Sequence, residues 1–96
     1  MSYKVAVVGA TGNVGREILE ILAARRFPVR EVVALASKSS TGKDVSFGDE
    51  EILKVRALDD YDFSDTDIAL SSAGSSISKV FAPKAAAAGC VVIDNT

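Results

Sequence analysis

The stretch VVGATGNVG, from Val7 to Gly15, decides how this chain folds. It follows an apolar run that begins at Tyr3, and it leads into a segment in which apolar residues recur with a helical period. In a strand–turn–helix unit, Gly9 permits a tight turn, Gly12 lets the backbone approach a pyrophosphate, and Gly15 lets the helix lie close to the strand. The stretch therefore predicts a dinucleotide-binding turn. The alternative is a glycine-rich turn that binds no ligand.

The helix predicted after this turn supplies groups that bind anions. Its first N–H groups have no partner inside the helix, and the helix dipole adds positive potential there. Thr11 lies at the tip of the turn, where its hydroxyl either reaches phosphate or bonds within its own loop. The helix is expected to span residues 13–26 and to end before Pro28, which disfavours helix in the residue that precedes it. Its buried stripe is predicted to contain Val14, Ile18, Ile21, Leu22 and Arg25.

Further strands are predicted from apolar runs that end in glycine or polar residues. We expect them at residues 31–36, 68–73 and 90–94, and a strand or hairpin with one exposed face at residues 44–57. An acidic loop follows at residues 59–67, with a turn of helix expected around Tyr61 and Phe63.

A second helix is predicted to begin after Ser75 or Ser76, either of which can cap it. Pro83 lies inside this segment, so we expect a kink or two short helices. Gly89 ends the segment as a left-handed cap. The buried stripe is predicted to contain Ile77, Val80, Phe81, Ala85 and Ala88.

This alternation of strands and helices predicts the fold class. It is typical of a Rossmann-like α/β domain, in which a doubly wound and mostly parallel sheet carries helices on both faces, in three layers. The near-continuous apolar character of residues 3–8 suits a central strand buried on both faces. We expect residues 1–96 to form one dinucleotide-binding domain, incomplete as a doubly wound fold.

The residues at the end of the second strand favour NADP over NAD. A site that prefers NAD places Asp or Glu there to hold the ribose hydroxyls, whereas this chain has Leu35, Ala36 and Ser37. The next residues, from Lys38 through Ser40 and Thr41 to Lys43, offer two cations and several hydroxyls to a 2′-phosphate. The alternative is a solvated surface loop.

Small residues after a later strand predict the other side of the crevice. Ser72, Ala73 and Gly74 end a strand at the sheet edge where ligands gather, and they leave room for the nicotinamide ribose. The alternative, a tight turn into the next helix, does not exclude this role. Asn95 and Thr96 follow the last strand and are expected to line the same crevice.

Composition excludes several other classes of protein. The chain has 11 Lys and Arg against 13 Asp and Glu, without the basic cluster that nucleic-acid binding needs. It lacks a signal peptide and an apolar run of roughly 20 residues that could cross a bilayer, so we expect a cytoplasmic protein with no membrane partner. Since there is no His and one Cys, a His/Cys metal site is excluded. Cys90 is predicted to be a core thiol.

Three segments in this order resemble the amino-terminal region of the aspartate-semialdehyde dehydrogenases: residues 7–17, 35–43 and 67–96. The resemblance implies an NADP-dependent enzyme that reduces 4-phospho-L-aspartate to the semialdehyde and phosphate, on the way to lysine, threonine and methionine. The family's cysteine nucleophile, histidine acid/base and substrate-binding arginine lie beyond the motif that matches Asp94 to Thr96. We therefore expect a fragment without catalytic residues, whose catalytic and dimerisation domain is absent and whose full-length form is a homo-oligomer that binds a small-molecule substrate.

The resemblance also implies a set of cofactor-binding residues. Ser39 departs from the family, which has an arginine there, and the neighbouring Lys38 offers a point charge in place of a bidentate fork. Ser71 stands where the family has a bulky apolar residue. The alternatives are an N-acetyl-γ-glutamyl-phosphate reductase and a nucleotide-sensing module without catalysis. The expected cofactor-binding residues are Gly9, Thr11, Gly12, Asn13, Val14, Gly15, Ser37, Lys38, Ser40, Thr41, Ser72, Ala73, Gly74 and Asn95.

Overall fold

The computed structural model describes residues 2–25, 28–49 and 51–94. Within these ranges the strands are β1 (Tyr3–Val8), β2 (Val29–Ala36), β3 (Asp44–Phe47), β4 (Glu51–Ala57), β5 (Ile68–Ser71) and β6 (Val91–Asp94), and the helices are α1 (Asn13–Ala24) and α2 (Ser75–Ala87). The sheet has the order β3-β4-β2-β1-β5-β6, and every strand pair is parallel except β3 with β4. The predicted fold class, with β1 at the centre, is confirmed. None of the helices in these ranges has the length and apolar character needed to cross a membrane.

Side chains of β1 alternate between two cores, one on each face of the sheet. Val5 and Val7 pack in a cluster with Leu19 and Leu22 of α1. Ala6 and Val8 point the other way and share a cluster with residues of α2. Because successive strand residues face opposite sides, a strand covered by helices on both sides must be apolar throughout. The helices therefore form the outer layers, and β1 lies in the middle.

The buried face of α1 differs from the predicted stripe. Gly15, Leu19 and Leu22 are buried, whereas Val14 and Ile21 are 45% and 47% exposed. The prediction was wrong for these two because the rotation of the helix is set by Gly15, which must face the preceding turn, and it was wrong for Arg25, which is exposed and lies just past the end of the helix. The helix ends at Ala24, short of the expected residue 26.

The buried face of α2 also differs from the predicted stripe. It continues through Pro83 as one helix, so the alternative of two short helices is wrong. Phe81 and Ala85 are buried as expected, but Ile77 is 41% and Val80 63% exposed. The helix ends as predicted at Gly89, whose φ is 90°.

The cap at Gly89 is a Schellman motif. Its N–H donates to the carbonyl of Ala86, and the N–H of Cys90 donates to Ala85, both at 3.0 Å. Cys90 then packs beside Ala85 in the core, as predicted for this thiol. The cap thus satisfies the last carbonyls of α2 and directs the chain into β6.

The hairpin predicted at residues 44–57 is present as β3 and β4. The helical turn expected around Tyr61 and Phe63 is wrong, since the 3₁₀ turn lies earlier, at Leu58–Asp60. Tyr61 and Phe63 instead pack edge to face, with ring centroids 4.8 Å apart. Phe63 also stacks on Phe81 of α2 at 5.8 Å. This aromatic packing holds the segment in an extended form against the second helix.

Candidate dinucleotide site

The candidate site lies at the carboxyl ends of β1 and β5. The chain leaves β1 through α1 toward β2 on one side, while β5 lies on the other side of β1 and leads through α2 to β6. Diverging connections of this kind open a crevice in doubly wound sheets, and ligands bind there. A cavity of about 420 Å³ occupies this place, and it is lined by Val8, Gly9, Thr11, Gly12, Ala36, Ser37, Leu58, Asp59, Ser72, Ala73 and Ile77.

Backbone contacts fix the glycine turn at the bottom of this cavity. Gly9 has a φ of 83°, which favours glycine. A Cβ added to Gly15 would overlap the carbonyl oxygen of Gly9 and lie 2.9 Å from the Cα of Ala10. The N–H groups of Gly9 and Ala10 both donate to the carbonyl of Leu35, at 2.9 and 3.2 Å. The turn is therefore held between α1 and the end of β2.

Gly12 differs from these two glycines because neither its own conformation nor packing against the described residues requires a glycine there. Its φ of −80° is open to any residue, and an added Cβ would make an ordinary contact of 3.5 Å with the carbonyl oxygen of Gly9. The residue is exposed and lines the cavity. A glycine that neither conformation nor packing demands fits a place where a ligand approaches the backbone.

The start of α1 is suited to an anion. In the described part of the chain no side chain caps this end, and the first turn carries no acidic residue. The N–H groups of Asn13 and Val14 belong to this turn, and both residues are exposed. Thr11 is half-buried and adds its hydroxyl to the lining. The helix dipole and these N–H groups together favour a phosphate at this end.

The serine- and lysine-rich loop adjoins the cavity through Ser37. Lys38 and Ser40 belong to the following 3₁₀ turn, outside the lining residues, and Thr41 comes directly after it. Within the loop the N–H of Ser40 donates to the carbonyl of Ser37 at 3.0 Å, and the end of the loop is tied to β4 because the N–H of Gly42 donates to the carbonyl of Val55 at 2.9 Å. Lys38 is exposed. Its charge is therefore available to a group bound beside Ser37.

The opposite wall is the turn between β5 and α2. The N–H of Ser72 donates to the carbonyl of Val8 at 3.0 Å, and the Ser72 hydroxyl donates to the same oxygen at 3.4 Å. A Cβ on Gly9 would lie 3.1 Å from the Cα of Ala73, so the two turns pack backbone against backbone. Gly74 follows with a φ of 100°. Asn95, also expected here, lies outside the described residues, as does Thr96.

Five lining residues were not among the expected cofactor-binding residues: Val8, Ala36, Leu58, Asp59 and Ile77. Ala36 of β2 pairs with Ala57 of β4, so the residues after these strands emerge side by side. A parallel register of the second and fourth strands would have placed Leu58 and Asp59 beside Ser37. The sequence alone indicated a hairpin at residues 44–57 without saying which strand it joins.

Charged groups and the Cys90 thiol lie at the opposite end of the sheet, where the amino ends of the parallel strands are. Lys4, at the amino end of β1, is largely buried and donates from Nζ to Asp65 at 3.1 Å, which raises the pKa of Lys4. Cys90 directly precedes β6 at this same end of the sheet. Burial raises the pKa of its thiol, and the charge of Asp67 adds to the effect. Neither group lies where a ligand of the crevice could reach it.

The fold and the turn define a dinucleotide-binding α/β domain. The family model described as "Semialdehyde dehydrogenase, NAD binding domain" matches residues 4–96. The chain belongs to this family.

Close relatives agree with this assignment. An aspartate-semialdehyde dehydrogenase of Rickettsia conorii is 57% identical over 94 residues, which are 98% of this chain and 28% of the relative. One from Legionella pneumophila is 55% identical over 96% of this chain and 26% of its own length. The crystal structure of aspartate semialdehyde dehydrogenase II from Vibrio cholerae superposes with a TM-score of 0.95 at 47% identity, covering all of this chain and 32% of that one. The predicted resemblance is confirmed, and the chain spans between a quarter and a third of these relatives.

Proposed function

We propose that this chain is the NADP-binding portion of an aspartate-semialdehyde dehydrogenase, which reduces 4-phospho-L-aspartate to L-aspartate 4-semialdehyde and phosphate. The observation that carries the proposal is Gly12, an exposed glycine at the start of α1 that leaves the backbone open to a ligand in the cavity. The family match and the relatives at up to 57% identity support the reaction. They also support a biosynthetic role toward lysine, threonine and methionine.

The lining of the crevice supports a division of the cofactor between its walls. The N–H groups of Asn13 and Val14, with Gly12 bare beside them, would hold the pyrophosphate. Ser37 and Lys38 would face the adenosine side, where Lys38 offers a positive charge to a 2′-phosphate. When bound, the reduced cofactor supplies a hydride. The residues of this chain bind and orient it and perform no proton transfer of their own.

The other properties of the whole enzyme are part of the same proposal. The small-molecule substrate would bind in the portion of the relatives that this chain does not cover. Resemblance to these enzymes supports a homo-oligomer that works in the cytoplasm.

Titration of the 96-residue chain with NADPH and NADH tests the cofactor assignment. We expect NADPH to bind more tightly. In Lys38→Glu, the affinity for NADPH should fall about tenfold more than that for NADH, because a repulsive charge replaces an attractive one beside the 2′-phosphate. Cofactor fluorescence at low salt measures both affinities.

Lys79→Glu is the matched control, since Lys79 is exposed on α2 outside the cavity and the charge change is the same. It should leave the NADPH to NADH ratio unchanged. Absence of binding by the unaltered chain would contradict the proposed function. Equal losses for both cofactors in Lys38→Glu would contradict the role of the loop.

A further inference from the structure

A pair of buried hydroxyls lies directly behind the β5–α2 turn. Ser71, the last residue of β5, is fully buried, and Ser78 of α2 is 4% exposed. Their Oγ atoms lie 3.1 Å apart and share a hydrogen bond. Burial of two hydroxyls in an otherwise apolar core is unfavourable unless each is bonded. Alanine at both positions would fill the same space without polar atoms. Packing alone therefore does not explain why serines stand at these two positions.

The pair joins the two ends of the turn that forms one wall of the crevice. Ser71 comes just before the turn, and its Oγ accepts a long hydrogen bond of 3.5 Å from the N–H of Ala73. Ser78 comes just after the turn, and its N–H donates to the carbonyl of Gly74 at 3.0 Å. The hydroxyl bond therefore fixes where β5 ends relative to where α2 begins.

The position of this turn sets the width of the crevice. Ser72 and Ala73 line the cavity, and the backbone of Ala73 packs so close to Gly9 that a Cβ on Gly9 would lie 3.1 Å from it. A shift of the turn would change the space between it and the glycine turn. The adenosine side of the cavity, at Ser37 and Leu58, follows β2 and β4, whereas the hydroxyl pair belongs to β5 and α2.

We propose that Ser71 and Ser78 are positioning residues for the nicotinamide half of the dinucleotide. In doubly wound folds a dinucleotide crosses the crevice, with one half over each half of the sheet. The adenosine half then lies over β2, and the nicotinamide half lies over β5 beside Ser72 and Ala73. This inference rests on the proposed function, and it names the two hydroxyls that set the geometry of the nicotinamide half of that site.

The experiment compares two ligands on the 96-residue chain: NADPH, and adenosine 2′,5′-bisphosphate as a probe of the adenosine half alone. Ser71→Ala and Ser78→Ala should each weaken NADPH binding about fivefold, with less than about a twofold change for the probe, as expected for one lost hydrogen bond. The double variant should bind NADPH no more weakly than Ser71→Ala alone, because the bond that Ser78→Ala removes is already lost in Ser71→Ala.

Two further variants keep the result clear. Ser78→Thr retains the hydroxyl and should retain NADPH affinity, which separates the bond from the volume of the side chain. Ser46→Ala removes an exposed serine of β3 and should change neither affinity. If Ser71→Ala does not fold, the comparison of Ser78→Ala with Ser78→Thr decides the question.

The outcomes distinguish this inference from the proposed function. Equal losses for NADPH and the probe, or no loss for either, would overturn the positioning role while leaving dinucleotide binding intact. An unaltered chain that binds neither ligand would overturn the proposed function itself. Loss confined to NADPH, restored in Ser78→Thr, supports the inference.

Discussion

The glycine turn at residues 9–15 and the serine-rich loop at residues 37–43 follow neighbouring strands and border the same crevice, but they are built differently. In the turn, backbone atoms pack so closely that a Cβ on Gly15 would overlap the carbonyl oxygen of Gly9. In the loop, most residues are exposed, and an added Cβ on Gly42 would meet no atom within 4 Å. The difference shows that the turn is fixed by close backbone packing, whereas the loop leaves its side chains open to solvent. Under the proposed function the turn would hold the pyrophosphate common to all dinucleotides, and the loop would select among them.

The largest effect is expected from Gly15→Ala, which adds a methyl group where the glycine turn is most closely packed. Because the overlapping atoms belong to the backbone, α1 must move away from the turn, and stability should fall by about 3 kcal/mol or more. Urea unfolding measures the loss. A variant as stable as the unaltered chain would show that the turn is not held by this contact.

Gly12→Ala separates packing from ligand approach within the same turn. Its Cβ would make only an ordinary contact, so the unfolding free energy should change little. NADPH affinity should nevertheless fall about tenfold, since the methyl group would stand between backbone and pyrophosphate. Parallel unfolding and binding titrations test this. A large loss of stability without loss of affinity would reverse the roles assigned to Gly12 and Gly15.

Gly42→Ala tests the loop with the same chemical change. The φ of 88° at this position strains any side chain, although the space around it is open. Stability should therefore fall by about 1 kcal/mol, the cost of left-handed backbone for one residue. Urea unfolding beside Gly15→Ala makes the comparison. Equal losses in the two variants would show that loop and turn are packed alike.

The smallest effect is expected from Asp59→Asn, which removes a carboxylate from the cavity beside Ser37. NADPH affinity should rise about twofold at low salt, because an exposed charge no longer repels the phosphates, and the gain should vanish at high salt. Asp60→Asn makes the same charge change at an exposed neighbour outside the lining residues. The same rise in both variants would exclude a local effect of Asp59.

Much of this site could be predicted from spacing. The strand, the three glycines and the start of the helix are consecutive, so a local pattern was enough to place Gly9, Gly12 and Gly15. Asp59 was missed because its place depends on β4 pairing with β2 in parallel register, a contact between distant segments. The inward faces of α1 and α2 were misjudged for a similar reason. Hydrophobicity gave Val14 and Val80 the same weight as Leu22 and Phe81, and the predicted stripe of α1 left out Leu19, which is fully buried.

The order of elements, the central place of β1 and the glycine turn between β1 and α1 followed from the sequence by itself, because they depend on residue period and on glycines at fixed spacing. Tertiary structure alone decided which helix faces are buried, which loops meet across the crevice, and that Ser71 and Ser78 share a bond. Those features depend on how rigid elements rotate and register against one another, and close backbone packing sets that rotation. Local sequence does not encode it.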